Sequence, residues 1–406
     1  MIPPRVSHQL RNLLTCNLLN CAFTLVLGIL FAGASAHSQT LEVLYKFTGG
    51  ADGSQPDSPL VRDSQGNLYG TTVTGGANQL GAVFKLSPDG TETVLYSFQG
   101  GVDGVWPVGL TLASDGNFYG VTRYGGTPPY EGYGTVFKLT PNGTETVLYA
   151  FNGGADGNTP LAGVVRDAQG NLYGTTFYGG DEQCGSCGVV FKVAPDGSET
   201  VLHTFTGAPD DGAWSTAGLA LDSSGNLYGT TTYGGAHNWG TIFKVAPDST
   251  ETVLYNFANA ADGANPATTP IFDPQGNLFG TTVPMLFPQN AYGTVYKLVP
   301  TSGTLSTLYT FLKPSNGAYP YGPLALDQHS NLFGTTFDSV NEKSYHGTVF
   351  ELTAKGRLKT LRRFIPAVGD YPNQGVLLDP QGNLYGTTSA AGAYRYGYGT
   401  VFKLTP

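Results

Sequence analysis

The sequence predicts an all-β fold, a seven-bladed β-propeller with four antiparallel strands per blade, and three observations predict it. A hexamer recurs seven times, two further elements recur seven times in fixed phase with it, and the residue usage is that of short strands and tight turns. The hexamer NLYGTT at Asn67 returns as NFYGVT at Asn117, NLYGTT at Asn171, Asn226 and Asn383, and NLFGTT at Asn277 and Asn331, in steps of 50, 54, 55, 51, 54 and 52 residues. GAVFKL at Gly81 returns at Gly134, Gly188, Gly240, Gly293, Gly347 and Gly399. EVLYKF at Glu42 returns at Thr93, Thr146, Thr200, Thr252, Ser306 and Lys359. Self-similarity at such a period marks an array of repeated supersecondary units. Among 406 residues, 58 are Gly and 26 Pro, charged residues make up 12%, and aromatics another 12%. That balance opposes both disorder and long helices.

Residues 1–36 read as a secretory signal peptide rather than as part of the fold. Arg5 and Arg11 precede the apolar run CAFTLVLGILFAGASA from Cys21 to Ala36, and Ala34-Ser35-Ala36 supplies the small-residue cleavage pattern. The apolar core is shorter than the roughly 20 residues of a spanning helix. Cleavage is therefore expected after Ala36, with a secreted or extracytoplasmic propeller over residues 37–406, a new N-terminus at His37 and no membrane span in the mature form. Export leaves Cys184 and Cys187 as the cysteines of the mature chain, and a disulfide between them fits an oxidising compartment. A redox centre would need a following helix to lower the thiol pKa, and a zinc site a second ligand pair.

Each repeat carries four strand-like runs. The first ends at Asp63, Asp167 or Asp222, the second is the hexamer, the third is GAVFKL and the fourth is TETVLYSF, separated by SQG-type and PDG-type turns. The phase at the two ends is informative. The mature chain opens with a lone fourth run, Leu41–Phe47, and closes with a lone third run, Gly399–Leu404. A circle cut inside one blade has this order, so the N-terminal strand is expected to complete the last blade and remove the open sheet edge.

The units YGTT-x-x-GG and GTVFKL-x-P-x-G-x-x-T-x-LY-x-F resemble the bacterial extracytoplasmic tandem repeats of the choice-of-anchor GloVer type over residues 41–406. The resemblance implies an exported repeat protein. Many members carry a C-terminal sorting tail, which is not expected here because the last repeat runs to Pro406. The first two runs, LALDSSGNLYGTT at Leu219 for example, are also similar to the strand pair of NHL-type propellers, a likeness of fold rather than activity.

A four-stranded meander puts the loops between second and third runs on the same face as the loops that enter each first run. The former vary in length and content, and variation on a rigid scaffold is where binding usually sits. They contribute Tyr124, Tyr130, Tyr133, Tyr178, Tyr233, Trp239, Phe287, Tyr292, Tyr345, Tyr394, Tyr396 and Tyr398. The entry loops add one equivalent position per blade, Gln55, Trp106, Thr159, Trp214, Asn265, Tyr319 and Tyr371, expected to surround the channel mouth. Planar side chains with a polar edge suit sugar rings. Trp106, Trp214, Tyr319 and Tyr371, helped by Tyr233 and Trp239, are therefore the candidate ligand-binding residues. The alternative for these side chains is packing between blades.

The chemistry that is absent narrows the rest. The net charge of −9 falls to −11 without residues 1–36, which opposes nucleic-acid and anionic-lipid binding. Asp52, Asp103, Asp156, Asp211, Asp262 and Asp370, with Asn316 in the sixth unit, recur in the entry loops. One such carboxylate per loop gives a local turn rather than the six to eight oxygens of calcium. Histidines fall at unrelated repeat positions, and no motif of a metallohydrolase, serine hydrolase or P-loop is present. The expectation is a monomeric, non-catalytic module for a carbohydrate or cell-surface glycan, with no cofactor and no metal. A structural or protein-interaction module of the envelope, or a propeller enzyme such as a polysaccharide lyase, glycosidase or lactonase, are the alternatives.

Overall fold

The structure is a computed structural model describing residues 39–126, 132–180, 184–259, 261–284, 292–312, 316–338, 346–390 and 397–405. Residues 1–36, expected as a signal peptide, and His37, Tyr130, Phe287, Tyr345, Tyr394 and Tyr396 lie outside the described residues. No helix among the described residues is long and apolar enough to cross a membrane.

Seven antiparallel sheets follow one another as blades 1 to 7, entered at Gly53, Gly104, Gly157, Gly212, Gly263, Gly317 and Gly369. In blade 4, for example, the order from the axis outward is Ala220–Leu221, Leu227–Thr231, Thr241–Val245 and Glu251–Asn256. Blade 7 is completed from the other end of the chain. Thr40–Lys46 pairs antiparallel with Thr400–Thr405, Leu41 opposite Leu404 and Lys46 opposite Thr400, and the Phe47 N–H continues the ladder to the Gly399 carbonyl at 3.1 Å. The expected closure is present, and the sheet edges of an open array are paired.

The repeated hexamer can be explained residue by residue. In blade 3, Asn171 donates its backbone N–H and its side-chain amide to the two carboxylate oxygens of Asp167, at 2.8 and 2.6 Å, closing the turn between first and second strands. Leu172 is buried, and the Tyr173 hydroxyl donates to the same Asp167 at 2.9 Å. A Cβ on Gly174 would stand 2.5 Å from the Phe191 ring, so only glycine lets the third-strand aromatic lie over the second strand. The Thr175 hydroxyl donates to the Ala217 carbonyl of blade 4, and Thr176 packs on the entry glycine Gly157. A polar hexamer with one apolar side chain thus spans a turn, a core and a blade junction.

The core lies between blades. At every junction the Phe that ends one blade meets the third-strand aromatic of the next, edge to face at six of them and tilted at Phe364–Phe402. The pairs Phe47–Phe84, Phe98–Phe137, Phe151–Phe191, Phe205–Phe243, Phe257–Tyr296, Phe311–Phe350 and Phe364–Phe402 have centroids 5.0 to 5.5 Å apart. Near the axis the contact is backbone on backbone. A Cβ on Gly109 would come within 2.6 Å of Gly163, and one on Gly322 within 2.0 Å of Gly375.

Candidate functional site

The position equivalent to Trp106 is built by the backbone. All seven residues there have left-handed φ, from 55° at Asn265 to 59° at Trp106 and Tyr319. Side chains with a Cβ adopt this region at a cost of about 1–2 kcal/mol each. What holds them is a hydrogen bond from each N–H to the preceding blade, such as Gln55 to the Tyr398 carbonyl at 2.8 Å and Tyr371 to the His346 carbonyl at 3.0 Å. In six blades a proline follows and seats on the third-strand glycine of the preceding blade, as Pro56 does on Gly399. The position is a junction latch whose side chain is carried at the mouth of the channel.

The predicted binding residues divide between exposure and packing. Trp106 is 37% exposed and meets Tyr124 edge-on at 5.3 Å. Tyr371 is half-buried, stacked between Phe337 at 4.7 Å and His346 at 5.3 Å, and lines an open cleft. Trp214 is half-buried, donates its indole N–H to the Ser186 carbonyl at 3.2 Å, and packs with Phe177 and Tyr233. Tyr319 lies against Tyr292 and Tyr321, and Trp239 packs on the core shared by blades 4 and 5. The six therefore do not form one circle of stacking platforms.

A polar cluster brings blades 7, 1 and 2 together at the axis. Asp57 accepts from Arg123 Nη2 at 2.9 Å and from Asn373 Nδ2 at 2.9 Å, and the Gln374 amide also donates to it. The Asp57 and Arg123 side chains are 21% and 25% exposed, so the pair is partly shielded from water. Above it opens a cleft of about 620 Å³ lined by Gln55, Arg123, Tyr371, Asn373 and Tyr398. Below it lies a channel cavity of about 480 Å³ lined from all seven blades. Asp57, Arg123 and Asn373 line both.

The recurrent entry-loop acids act locally. Asp103 accepts from the Tyr96 hydroxyl at 2.8 Å and the Gln99 N–H at 2.8 Å, and Asp52, Asp156 and Asp262 repeat the arrangement. Asp370 is not their equivalent. It stands one residue before Tyr371, and its Oδ1 lies 3.2 Å from His346 Nδ1. Burial pushes its carboxyl up, and His346 opposes that. Where five other units have Tyr and blade 6 has Arg362, blade 3 has His203, whose Nε2 lies 3.0 Å from Asp211; with Glu251 these ligand atoms fall within 4.8 Å of one another. Asp211 is already engaged by His203, by the Thr206 N–H and hydroxyl and by the Gly212 N–H, as a junction turn requires. Cys184 and Cys187 bring their sulfurs to bonding distance across one loop, with Cα atoms 5.9 Å apart.

The family model of the Gloeobacter/Verrucomicrobia repeat matches residues 26–187, 131–285 and 185–402. The chain belongs to this repeat family. No curated protein matches it. Among solved structures it is similar to a streptogramin B lyase, with 14% identity and a TM-score of 0.59 over 90% of this chain and 97% of that one. It is also similar to an oligogalacturonate lyase in complex with manganese, with 13% identity and a TM-score of 0.54 over 90% and 96%. At such identities the likeness is one of fold.

Within the repeat, the residues that sequence reasoning missed are those that break it by charge. Two positions past the latch, blades 2, 3 and 5 carry Val108, Leu161 and Ala267, whereas blades 1 and 7 carry Asp57 and Asn373. Arg123 stands where blades 1, 3 and 5 have Val73, Phe177 and Val283. Comparing columns for charge rather than for aromatics would have found the cluster.

Proposed function

We propose that the protein is an exported, monomeric β-propeller that binds a carbohydrate in the cleft between blades 7, 1 and 2. The observation that carries this reading is the convergence of Tyr371 and Tyr398 with Asp57, Arg123, Asn373 and Gln55 around one cavity of about 620 Å³. Sugars present C–H faces that stack on aromatic rings and hydroxyls that both donate and accept. A lining of Tyr, Asp, Arg, Asn and Gln matches both demands. Trp106, exposed on the neighbouring blade, extends the platform for a longer chain.

Titration of the secreted protein against a broad glycan panel tests the reading. Tyr371→Asn, Asp57→Asn and Trp106→Asn should each weaken binding about 5- to 10-fold; Trp106→Asn should leave the melting temperature unchanged, whereas the first two also lower it by removing the Phe337–His346 stack and the partner of Arg123. Asn is chosen at 106 because it tolerates the left-handed backbone. Trp239→Ala and Tyr233→Ala should change stability and leave affinity alone. Absence of binding across the panel overturns the reading in favour of a structural or interaction module. That second reading draws on the inter-blade packing of Trp214, Tyr233, Tyr319 and Trp239.

A further inference from the structure

Where consecutive blades join, a residue of one fourth strand meets the entry-loop acid of the next blade, near the residue that opens that blade's own fourth strand. At three junctions these are Tyr45, Asp52 and Glu92; Tyr96, Asp103 and Glu145; and Tyr149, Asp156 and Glu199. The Tyr hydroxyl donates to the Asp there, at 2.8 to 3.0 Å. Later blades lose the glutamate, with Leu305, Leu358 and Leu41 in its register position. The junction of blades 3 and 4 keeps both acids, Asp211 and Glu251, but sets His203 in the place of Tyr. Its entry loop is also one residue longer between Phe205 and Asp211 than that between Phe98 and Asp103.

A phenol there donates a hydrogen bond, whereas an imidazole with its ring proton on Nδ1 offers the Nε2 lone pair to a metal. His203 Nε2 lies 3.0 Å from Asp211 Oδ2, and ligand atoms of His203, Asp211 and Glu251 all fall within 4.8 Å of one another. Zinc bonds of about 2.0–2.2 Å set neighbouring ligand atoms roughly 3–4 Å apart, so a small side-chain movement separates this arrangement from a coordinating one. The Thr206 and Gly212 N–H groups hold the Asp211 carboxylate in place, and the His203 contact is the one that an ion would take over. The His203 and Asp211 side chains are 19% and 10% exposed, so the cluster is reachable from solvent. Burial and then the Asp211 charge push the Glu251 carboxyl up to about 7, and a dication between the two acids relieves their repulsion.

We propose that His203, Asp211 and Glu251 bind a divalent transition-metal ion, zinc by ligand type, that ties the fourth strand of blade 3 to the entry loop and fourth strand of blade 4. One imidazole and two carboxylates make three protein ligands and leave a fourth position for water, as in open zinc sites. The imidazole disfavours calcium, which takes oxygen ligands. The Tyr–Asp–Glu junctions lack the nitrogen and are expected to stay metal-free. None of the three residues lines the cleft, so the site is independent of the carbohydrate reading.

The test is metal analysis and thermal unfolding of the untagged protein, stripped with EDTA and then dialysed against Zn²⁺. The unaltered protein should retain one zinc per chain and melt higher with the ion than without it. His203→Tyr restores the side chain that five other units carry, so it should fold. It should weaken zinc binding by at least on the order of 100-fold, because even the outer partners of a zinc ligand are worth about 10- to 100-fold. Glu251→Gln should weaken it as well, and it serves as the reading if the first variant does not fold. No retained zinc and an unchanged melting temperature overturn the site and leave His203 as a hydrogen-bonding substitute for Tyr. Zinc held as tightly by both variants as by the unaltered protein also overturns it, since the ion then sits elsewhere.

Discussion

Tyr296 shows what a single departure from the repeat costs. It occupies the third-strand position that is Phe in the other six blades, it is fully buried, and its hydroxyl has no hydrogen-bond partner among the described residues. Burial alone drives its phenol well above the ordinary range. Tyr296→Phe removes the unpaired hydroxyl and keeps the aromatic contact with Phe257, so it should stabilise the protein by about 1 kcal/mol, read as a higher urea midpoint at unchanged slope. Blade 1 has the complementary defect. Thr122, Thr231, Thr282, Thr336 and Thr388 each share a hydrogen bond with a third-strand Thr, at 2.7 to 2.9 Å, but Thr72 faces Ala82 and its hydroxyl is buried without a partner among the described residues. Ala82→Thr should restore the pair and raise the same midpoint by a similar amount. Both positions are legible in the sequence as exceptions within a column, yet only the packing shows that the exceptions leave buried groups unsatisfied.

At the scale of the strand, the fourth strands carry a pH dependence. Glu92, Glu145, Glu199 and Glu251 are pushed up to about 7 from an ordinary value of 4.5, first by burial and then by Asp52, Asp103, Asp156 and Asp211 of the preceding entry loops. One oxygen of each glutamate is buried without a hydrogen-bond partner among the described residues, which favours the neutral acid. His203 opposes the rise at Glu251. Because the folded pKa lies above the unfolded one, this stabilisation is complete below about pH 4.5 and is lost as the pH rises through 7. The turn carboxylates act in the other direction. Burial raises Asp63, Asp167, Asp222 and Asp379, but hydrogen bonds from Asn and Tyr outweigh it and lower them below 3.8. Their contribution is present above that value and fails in stronger acid. The melting temperature should therefore peak near pH 5 and fall toward pH 8. Replacing all four glutamates by Gln should flatten the slope between pH 5 and 8 while leaving the acid limb in place. A slope unchanged in the quadruple variant would remove the carboxyl pairs as its cause. The strands themselves were readable from alternation and turn residues. The carboxyl pairs were not, because Glu92 and Asp52 are 40 positions apart and meet across two blades.

For the molecule as a whole, stability rests on closing the circle. Deletion of residues 37–48 removes the fourth strand of blade 7, exposes the edge Thr400–Thr405 and deprives Phe84 of Phe47. The truncated chain should aggregate or melt well below the intact one in light scattering and thermal unfolding, and an unchanged melting temperature would contradict closure as the main constraint. The sequence by itself determined the number of blades, the four strands in each and the split last blade. Periodicity, turn chemistry and the phase of the repeat are properties of neighbouring residues, and the chain states them seven times. The tertiary structure decided which aromatic residues are exposed and which are packed, since Trp106 and Trp214 hold the same repeat position and backbone φ but differ in what the adjacent blade offers them. It also brought Asp57, Arg123 and Asn373 into one cluster. Those residues are separated by up to 316 positions and become neighbours because blades 7, 1 and 2 meet at the axis when the chain closes on itself.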